Sequence, residues 1–182
     1  MEPVRRLLGV CPSERKARGT RPGAPCPALA AALFLAATAI SSPAAGEKAR
    51  ITDLSDVNFG LISNLQADSR QSQSICVFSQ STGGRYSITA TGSGAGSSFA
   101  LSNGSSSLAY EVEWSDQSGQ TTGTSLAPAV AATGRSSAAT QQSCNSGPAA
   151  SASLTIILRS SALSQAREGN YSGSLTLLVA AE

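Results

Sequence analysis

The sequence predicts an all-β protein, an antiparallel β-sandwich. Short segments in which apolar and polar residues alternate recur along the chain, with Gly-, Ser- and Asn-rich turns between them. No long segment carries apolar residues at the 3.6-residue spacing of a helix. Charged residues make up only 13% of the 182 residues, whereas a soluble cytoplasmic enzyme of this length usually carries about a quarter. This composition is typical of extracellular β-proteins.

Residues 1–45 are expected to be a secretory signal region, and residues 46–182 the folded domain. A basic stretch precedes an apolar run at 28–40, and small residues follow that run, which is the three-part layout of an export signal. Cleavage after Ala44 or after Gly46 places small residues at the required positions. The apolar run is short for a membrane-spanning helix. We therefore expect an exported protein without a stable membrane span.

The charge that remains after the leader excludes one class of partner. The expected domain has seven Lys and Arg against nine Asp and Glu, a net charge of −2. It has no basic patch and no interleaving of basic and aromatic residues, which a nucleic-acid-binding protein needs. Nucleic acid is therefore excluded as a partner.

Seven segments of the expected domain are predicted to be short strands. They are 49–63, 74–80, 84–92, 99–102, 107–116, 153–161 and 169–182. Asn103-Gly104, between the fourth and the fifth segment, is the strongest short hairpin signal in the sequence. Between the fifth and the sixth, the chain is mostly Gly, Ser, Thr, Ala and Gln, with one weak strand at 126–130. Six or seven short strands separated by turns indicate an Ig-like sandwich.

Alternation within these segments predicts which side chains fill the core. In 74–80, Ile75 and Val77 share one face, and Cys76 and Phe78 share the other. Trp114 lies in register with inward apolar residues, which favours core packing over stacking on a sugar ring at the surface. The predicted core positions are Phe59, Tyr86, Ile88, Tyr110, Val112, Trp114, Leu154, Ile156 and Leu158.

Two of the four cysteines, Cys76 and Cys144, lie beyond the expected leader. In an oxidising compartment, an isolated pair is most simply one disulfide. The sequence contains no histidine, so that a zinc site built on two cysteines is disfavoured. The two cysteines also lack the C-x-x-C spacing of a redox pair. We therefore predict a structural disulfide between them.

No pattern in the sequence predicts an enzyme. The absence of histidine removes most acid–base, triad and zinc chemistry, and no G-x-S-x-G motif is present. Glu111 and Glu113 fall on the outward face of a strand, where we expect solvated carboxylates rather than a glycosidase pair. Asp53 and Asp56 lack the spacing of a calcium loop. We expect no catalytic residues, no cofactor and no metal.

The last segment, GNYSGSLTLLVAAE, raises the question of what completes its sheet. Tyr171, Leu175, Leu177 and Val179 lie at alternate positions, as in a strand with one buried face. The sequence ends at Glu182, so no later strand follows it to cover the open side. We therefore expect a sandwich that lacks its last strand.

The order of these motifs resembles the spore-coat-protein-U-like domain, which is typical of pilins of the archaic chaperone–usher pathway in Gram-negative bacteria. The resemblance covers nearly all of residues 50–182. The matching features are Phe59-Gly60, Cys76 in an early strand, Gly84-x-Tyr86, Tyr110-x-Val112-x-Trp114, the late Cys144, and Gly169-x-Tyr171-x-Gly173-x-Leu175.

The resemblance implies a function for the missing strand. Subunits of this family are similar to Ig domains without their final strand; a periplasmic chaperone first fills the groove, and the N-terminal extension of a neighbouring subunit then replaces it. An outer-membrane usher and neighbouring pilus subunits are the other implied partners. The chain would pass through the periplasm to a fibre on the cell surface. Tyr171, Leu175, Leu177 and Val179 would then form the strand-acceptor edge and groove.

The sequence departs from this pattern at its N-terminal side. Polymerising pilins carry an alternating apolar extension ahead of the first strand, whereas residues 47–57 alternate poorly. In addition, Phe59-Gly60 precedes Cys76, whereas family members often have the early cysteine before that pair. Residues 47–57 are therefore either an unusual donor strand, or the subunit accepts a strand and donates none, as at a fibre tip. The rival interpretation is a free-standing secreted carbohydrate-binding or coat module with a complete sandwich.

Overall fold

The computed structural model describes residues 47–182 of the protein. The expected signal region and its cleavage sites lie outside these residues. The described part consists of ten β-strands, two single-turn 3₁₀ helices and one short α-helix, α1. Among these residues, no helix is long and apolar enough to span a membrane.

The strands are short and follow one another closely along the chain. They are β1 (Ala49–Thr52), β2 (Ser69–Ser79), β3 (Arg85–Gly92), β4 (Ala100–Ser102), β5 (Ser107–Ala109), β6 (Glu111–Ser115), β7 (Thr124–Ser125), β8 (Ala131–Ser136), β9 (Ala152–Leu158) and β10 (Leu175–Ala181). The 3₁₀ turns are Thr82–Gly84 and Ala95–Ser97, and α1 is Ser160–Leu163.

Two antiparallel sheets face each other in a β-sandwich. One has five strands in the order β1-β2-β9-β6-β7, and the other has three in the order β10-β3-β8. Strands β4 and β5 form a separate two-stranded hairpin. The main core joins both sheets, with Ile75 and Val77 from β2 packing in one cluster with Tyr86 and Ile88 from β3. The predicted all-β sandwich class is therefore confirmed.

The strand β2 divides its side chains as the alternation predicts. Ile75 and Val77 belong to the main core, whereas Cys76 packs on the opposite face in a small cluster with Cys144 and Phe78. Cys76 and Cys144 form the predicted disulfide. The bond attaches the long segment between β8 and β9 to the outer face of the five-stranded sheet.

The predicted core residues lie at two levels of burial. Seven of them, Tyr86, Ile88, Tyr110, Val112, Trp114, Leu154 and Leu158, are buried. Phe59 and Ile156 are only partly buried, although both pack against the core. Both also line the groove described below, and the open side of that groove leaves part of their surface uncovered.

Several predicted elements differ from the structure. The segment 107–116 is not one strand, because β5 ends at Ala109 and β6 begins at Glu111. Only the first four residues of the predicted strand 49–63 form a strand, β1. The weak strand expected at 126–130 is replaced by β7 before it and β8 after it. The Asn103-Gly104 turn is present, and Asn103 Oδ1 accepts a hydrogen bond from Ser106 N at 2.7 Å.

Candidate functional site

The strand β10 lies at an edge of the three-stranded sheet. It pairs with β3 from Leu175 opposite Gly92 to Ala181 opposite Tyr86, and no strand of residues 47–182 pairs with its other side. A strand edge of this kind presents unpaired backbone N–H and C=O groups. It is therefore a site at which another strand can be added.

The side chains of β10 alternate as the sequence predicts, but none of the inward ones is fully covered. Leu175, Leu177 and Val179 are partly buried and pack against the main core. Leu178, on the opposite face, is 64% exposed. Apolar side chains that point inward yet keep exposed surface indicate that a layer of packing is missing on this side of the sandwich.

Tyr171, the fourth predicted edge residue, lies ahead of β10 rather than in it. Its hydroxyl donates to the carbonyl of Arg167 at 3.0 Å, and the next residue, Ser172, forms an isolated bridge with Ser102 of β4. Gly173 separates this bridge from β10, and a Cβ there would come within 3.0 Å of the Ala100 carbonyl oxygen. The segment predicted as one strand, 169–182, therefore contacts the hairpin first and β3 afterwards.

A groove of about 1050 Å³ runs along this open side. Tyr171, Leu175 and Leu177 line it, and so do residues 54–62. The floor is apolar and comes from β9 and from the hairpin region, with Leu154, Ile156, Leu158, Leu101, Leu108 and Tyr110. Val179 does not line the groove. The groove therefore opens beside the first half of β10, a position suited to an extended apolar segment.

The opposite side of the sandwich is closed by polar contacts between the two sheets. Arg135 of β8 reaches across to Asp116 at 3.9 Å and donates to Thr124 Oγ1 at 3.4 Å. Tyr86 of β3 donates to Asp116 at 2.9 Å and accepts from Trp114 Nε1 at 2.9 Å. Burial raises the pKa of Tyr86 well above its usual range, so that it remains a neutral donor. These contacts leave the β10 side as the open one.

Trp114 cannot serve as a sugar-stacking platform. Its side chain is fully buried, and its ring packs edge-on against Tyr86 with the ring centres 6.4 Å apart. Stacking on a sugar needs an exposed indole face. The core position that its alternation predicts is therefore the one it occupies.

The two carboxylates of β6 have different surroundings, and one prediction for them is wrong. Glu111 is exposed and accepts a hydrogen bond from Arg159 Nη2 at 2.6 Å. This hydrogen bond lowers the pKa of Glu111. Glu113 is not solvated: it is 8% exposed, accepts the Gly123 N–H at 3.0 Å and faces Arg70 at 3.6 Å. Arg70 of β2 and the backbone of Gly123 therefore contact it on the outer face of the sheet.

These surroundings do not favour acid–base chemistry. A general acid needs a raised pKa, whereas the hydrogen bond from Arg159 holds Glu111 in its ionised form. Within residues 47–182, no group of three or more His, Cys, Asp and Glu side chains could hold a metal ion, and Asp53 and Asp56 belong to no such group.

Two parts of the groove are not predicted by the sequence. The floor contributed by Leu101 and Leu108 depends on where the β4–β5 hairpin packs against the rest of the sandwich. The segment after β1, which carries Phe59 and Ile62, lies over the groove without forming a strand. The poor alternation after residue 52 was a signal for the irregular segment after β1, because it argues against a regular strand.

The comparisons with known proteins give few matches. No protein-family model matches the sequence, and a search of the curated proteins finds no match. Among solved structures, one chain from a chaperone–tip adhesin complex of CFA/I fimbriae biogenesis matches 75% of this chain and 42% of its own length, with 15% identity and a TM-score of 0.45. A chain of the CsuC–CsuE chaperone–tip adhesion subunit pre-assembly complex, from the archaic chaperone–usher Csu pili of Acinetobacter baumannii, also matches.

The second match covers 74% of this chain and 39% of the other, with 19% identity and a TM-score of 0.38. The protein thus spans about two fifths of the length of the solved chains that it matches. At this identity and TM-score, the two matched chains do not assign a function to this protein.

Proposed function

We propose that this protein is a structural or adhesive subunit of a secreted surface fibre, a pilus, assembled by the chaperone–usher route through donation of a β-strand. The observation that carries the proposal is the coincidence of an unpaired strand edge, β10, with an apolar groove on the same side of the sandwich. Strand addition uses both features, because the backbone edge provides hydrogen bonds and the groove receives alternate side chains.

The energetics support this use of the groove. A donated strand would cover the exposed parts of Leu175 and Leu177, which line the groove and are now only partly buried. Each apolar side chain that the strand inserts would contribute roughly 1.5–3 kcal/mol before the entropic cost of ordering. The closed, polar β8 side offers no comparable gain, since its contacts between the sheets are already made.

The partners follow from this mode of assembly and from the resemblance to the spore-coat-protein-U-like domain. A periplasmic chaperone supplies the first strand, an outer-membrane usher receives the complex, and a neighbouring subunit supplies the final strand. The subunit is exported through the periplasm and ends in a fibre on the cell surface.

We place the subunit at a tip or minor position in the fibre. Residues Ala49–Thr52 are paired with Cys76–Ser79 in the five-stranded sheet, so they are part of this sandwich and are not free to complete a neighbour. This favours a subunit that accepts a strand over the alternative in which 47–57 acts as a donor.

A fused donor strand tests the proposal directly. A designed strand with Val, Ile or Leu at four alternate positions is joined after Glu182 through a short flexible linker, and thermal unfolding of residues 46–182 is measured with and without it. We expect a monomer with a clearly raised melting temperature. An unchanged melting temperature, with the unfused domain already a stable monomer, would contradict the pilus proposal and favour a free-standing secreted module.

A matched pair of variants shows whether the gain comes from this groove. Leu177→Asp places a charge against the apolar groove, which is costly without a partner, whereas Leu178→Asp lies on the exposed face of the same strand. In the fused protein, Leu177→Asp should abolish the rise in melting temperature and Leu178→Asp should keep it. Equal behaviour of the two variants would contradict insertion at the groove.

We expect neither variant, nor the parent protein, to hydrolyse glycans.

A further inference from the structure

Residues 53–66, here called the flap, cross the open side of the sandwich directly after β1. Phe59 and Ile62 point inward and pack against the main core. Leu54 and Leu61 point outward and are 47% and 95% exposed. The flap thus covers the groove with a few inward side chains, although it leaves the space of about 1050 Å³ beneath and around it.

The flap is weakly attached to the rest of the molecule. Within residues 47–182, no backbone–backbone hydrogen bond joins it to a strand or loop. Its main attachment is Gln73 of β2, whose Oε1 accepts from both Ser55 N and Ser55 Oγ at 2.9 Å, and whose Nε2 donates to Ser55 O at 3.1 Å. Backbone ladders hold the strands, whereas the flap is held by the hydrogen bonds of Gln73 and by the packing of Phe59 and Ile62. The flap can therefore detach without disrupting either sheet.

Two residues give the flap points at which the chain changes direction. Asp53, the first residue after β1, has φ +63°, and Gly60 has φ +62°. A left-handed conformation ends a strand, because it cannot continue an extended ladder. The chain therefore leaves the edge of the five-stranded sheet at Asp53 and bends once more over the groove.

We propose that the flap is a displaceable cover, which shields the groove while the subunit is free and moves off when a strand is donated. This inference rests on the proposed function and adds a regulatory contact to it. The flap seats Phe59 and Ile62 against the same core that an incoming strand must reach. Phe59 and Ile62 therefore compete with the donated strand for one surface. The strength of the flap's attachment then sets how fast a strand enters the groove.

The test compares two glutamines of the same strand. Gln73→Ala removes all three hydrogen bonds to Ser55, whereas Gln71 on the same β2 strand is exposed and serves as the control. Uptake of a synthetic peptide with four alternate apolar residues is followed by a fluorophore on the peptide. We expect Gln73→Ala to accelerate uptake by about tenfold, the effect of losing one or two net hydrogen bonds, and Gln71→Ala to leave the rate unchanged.

A second pair examines the seated side chain itself. Phe59→Ala removes an inward residue of the flap and should also accelerate uptake, whereas Leu61→Ala alters a residue that is 95% exposed and should not. Melting temperatures of all four variants are measured alongside, so that a faster rate is distinguished from general unfolding. Limited chymotrypsin digestion at 59–61 reports the flap directly, and we expect faster cleavage once the peptide is bound.

The outcomes separate the flap from the groove. If peptide binds at one rate in every variant, the flap does not control entry, although strand acceptance stands. If binding makes 59–61 more resistant to chymotrypsin, the segment pairs with the donated strand and the displaceable-cover inference is wrong. If no variant binds the peptide and the fused donor strand also fails to stabilise the domain, the proposed function and the flap inference fall together.

Discussion

At the residue scale, the sequence predicts whether a side chain points inward, but not the partners that it meets from distant parts of the chain. The sequence places Tyr86 and Trp114 inward by alternation alone, and both are fully buried. It does not predict that the Tyr86 hydroxyl bridges Trp114 and Asp116, because this depends on how two strands from different sheets meet. Glu113 shows the same limit, since its outward position is predicted but its cover by Arg70 and Gly123 is not.

Replacing Tyr86 by Phe should destabilise the domain by about 1–3 kcal/mol. The change leaves the buried Trp114 N–H without its acceptor, and an unsatisfied buried donor carries this cost. Urea unfolding followed by the fluorescence of Trp114, the only tryptophan, measures the loss. Tyr171→Phe is the control, because that hydroxyl bonds the exposed backbone of Arg167. Similar losses in both variants would contradict the assigned role of the buried hydroxyl.

Acid should destabilise the domain partly through Arg159. The pKa of Asp68 is lowered from 3.8 by hydrogen bonds from Ser160 N and Arg159, and the pKa of Glu111 is lowered from 4.5 by Arg159. Because the folded values lie below the unfolded ones, this stabilisation is present above these ordinary values and is lost as pH falls through the lower folded values. Urea midpoints measured from about pH 6 to about pH 2 should therefore fall less steeply in Arg159→Gln.

The control for this acid dependence is Arg50→Gln. Arg50 is exposed and makes no salt bridge within the described residues. If the urea midpoint falls equally steeply with pH in Arg159→Gln and in the parent protein, the role given to Arg159 in acid stability is wrong.

At the scale of elements, strands with clear alternation are predicted well and small-residue strands are not. The two faces of β2 and the Asn103-Gly104 turn follow from local chemistry. The strand β8, Ala131–Ser136, carries the sequence AATGRS and has no large apolar residue to mark a face, so its pairing with β3 decides its conformation. The end of β1 at Thr52 is not predicted for a related reason. The apolar residues Phe59 and Ile62, which follow it, pack against the core without strand pairing.

The disulfide joins two such elements and should stabilise the domain by roughly 4 kcal/mol on the chain-entropy account. It links β2 to the segment before β9, across 68 residues of sequence. Replacing both Cys76 and Cys144 by Ala should lower the urea midpoint accordingly, and reduction of the parent protein should lower it by a similar amount. Two free thiols in the mature protein, found by mass spectrometry without reduction, would contradict the bond.

At the scale of the whole molecule, the two sides of the sandwich differ in how they are closed. Arg135 and Asp116 join the sheets beside β8, whereas β10 borders an apolar groove. The sequence predicts the β10 half of this site through its alternating leucines. It does not predict the flap or the hairpin floor, because both depend on where segments without strong patterns come to rest against the core.

This asymmetry predicts a distinct pattern of amide hydrogen exchange. Strand β9 pairs on both sides, with β2 and β6, so its amides should be among the slowest to exchange. Strands β8 and β10 both lie at an edge of the three-stranded sheet, and about half of the amides in an edge strand point away from the ladder. In the free domain, peptides covering β8 and β10 should therefore exchange earlier than those covering β9.

A donated strand should then change one edge and leave the other as its internal control. When the designed strand is fused after Glu182, the amides of β10 gain partners and those of β8 do not, because β8 lies on the far side of β3. Mass spectrometry of peptides from both strands should show slowed exchange in Leu175–Ala181 and unchanged exchange in Ala131–Ser136. Equal slowing at both edges would mean that the fusion stabilises the fold generally rather than at the groove. Slowing at β8 alone would place the acceptor edge on the side that Arg135 closes, contrary to the assignment made from the groove.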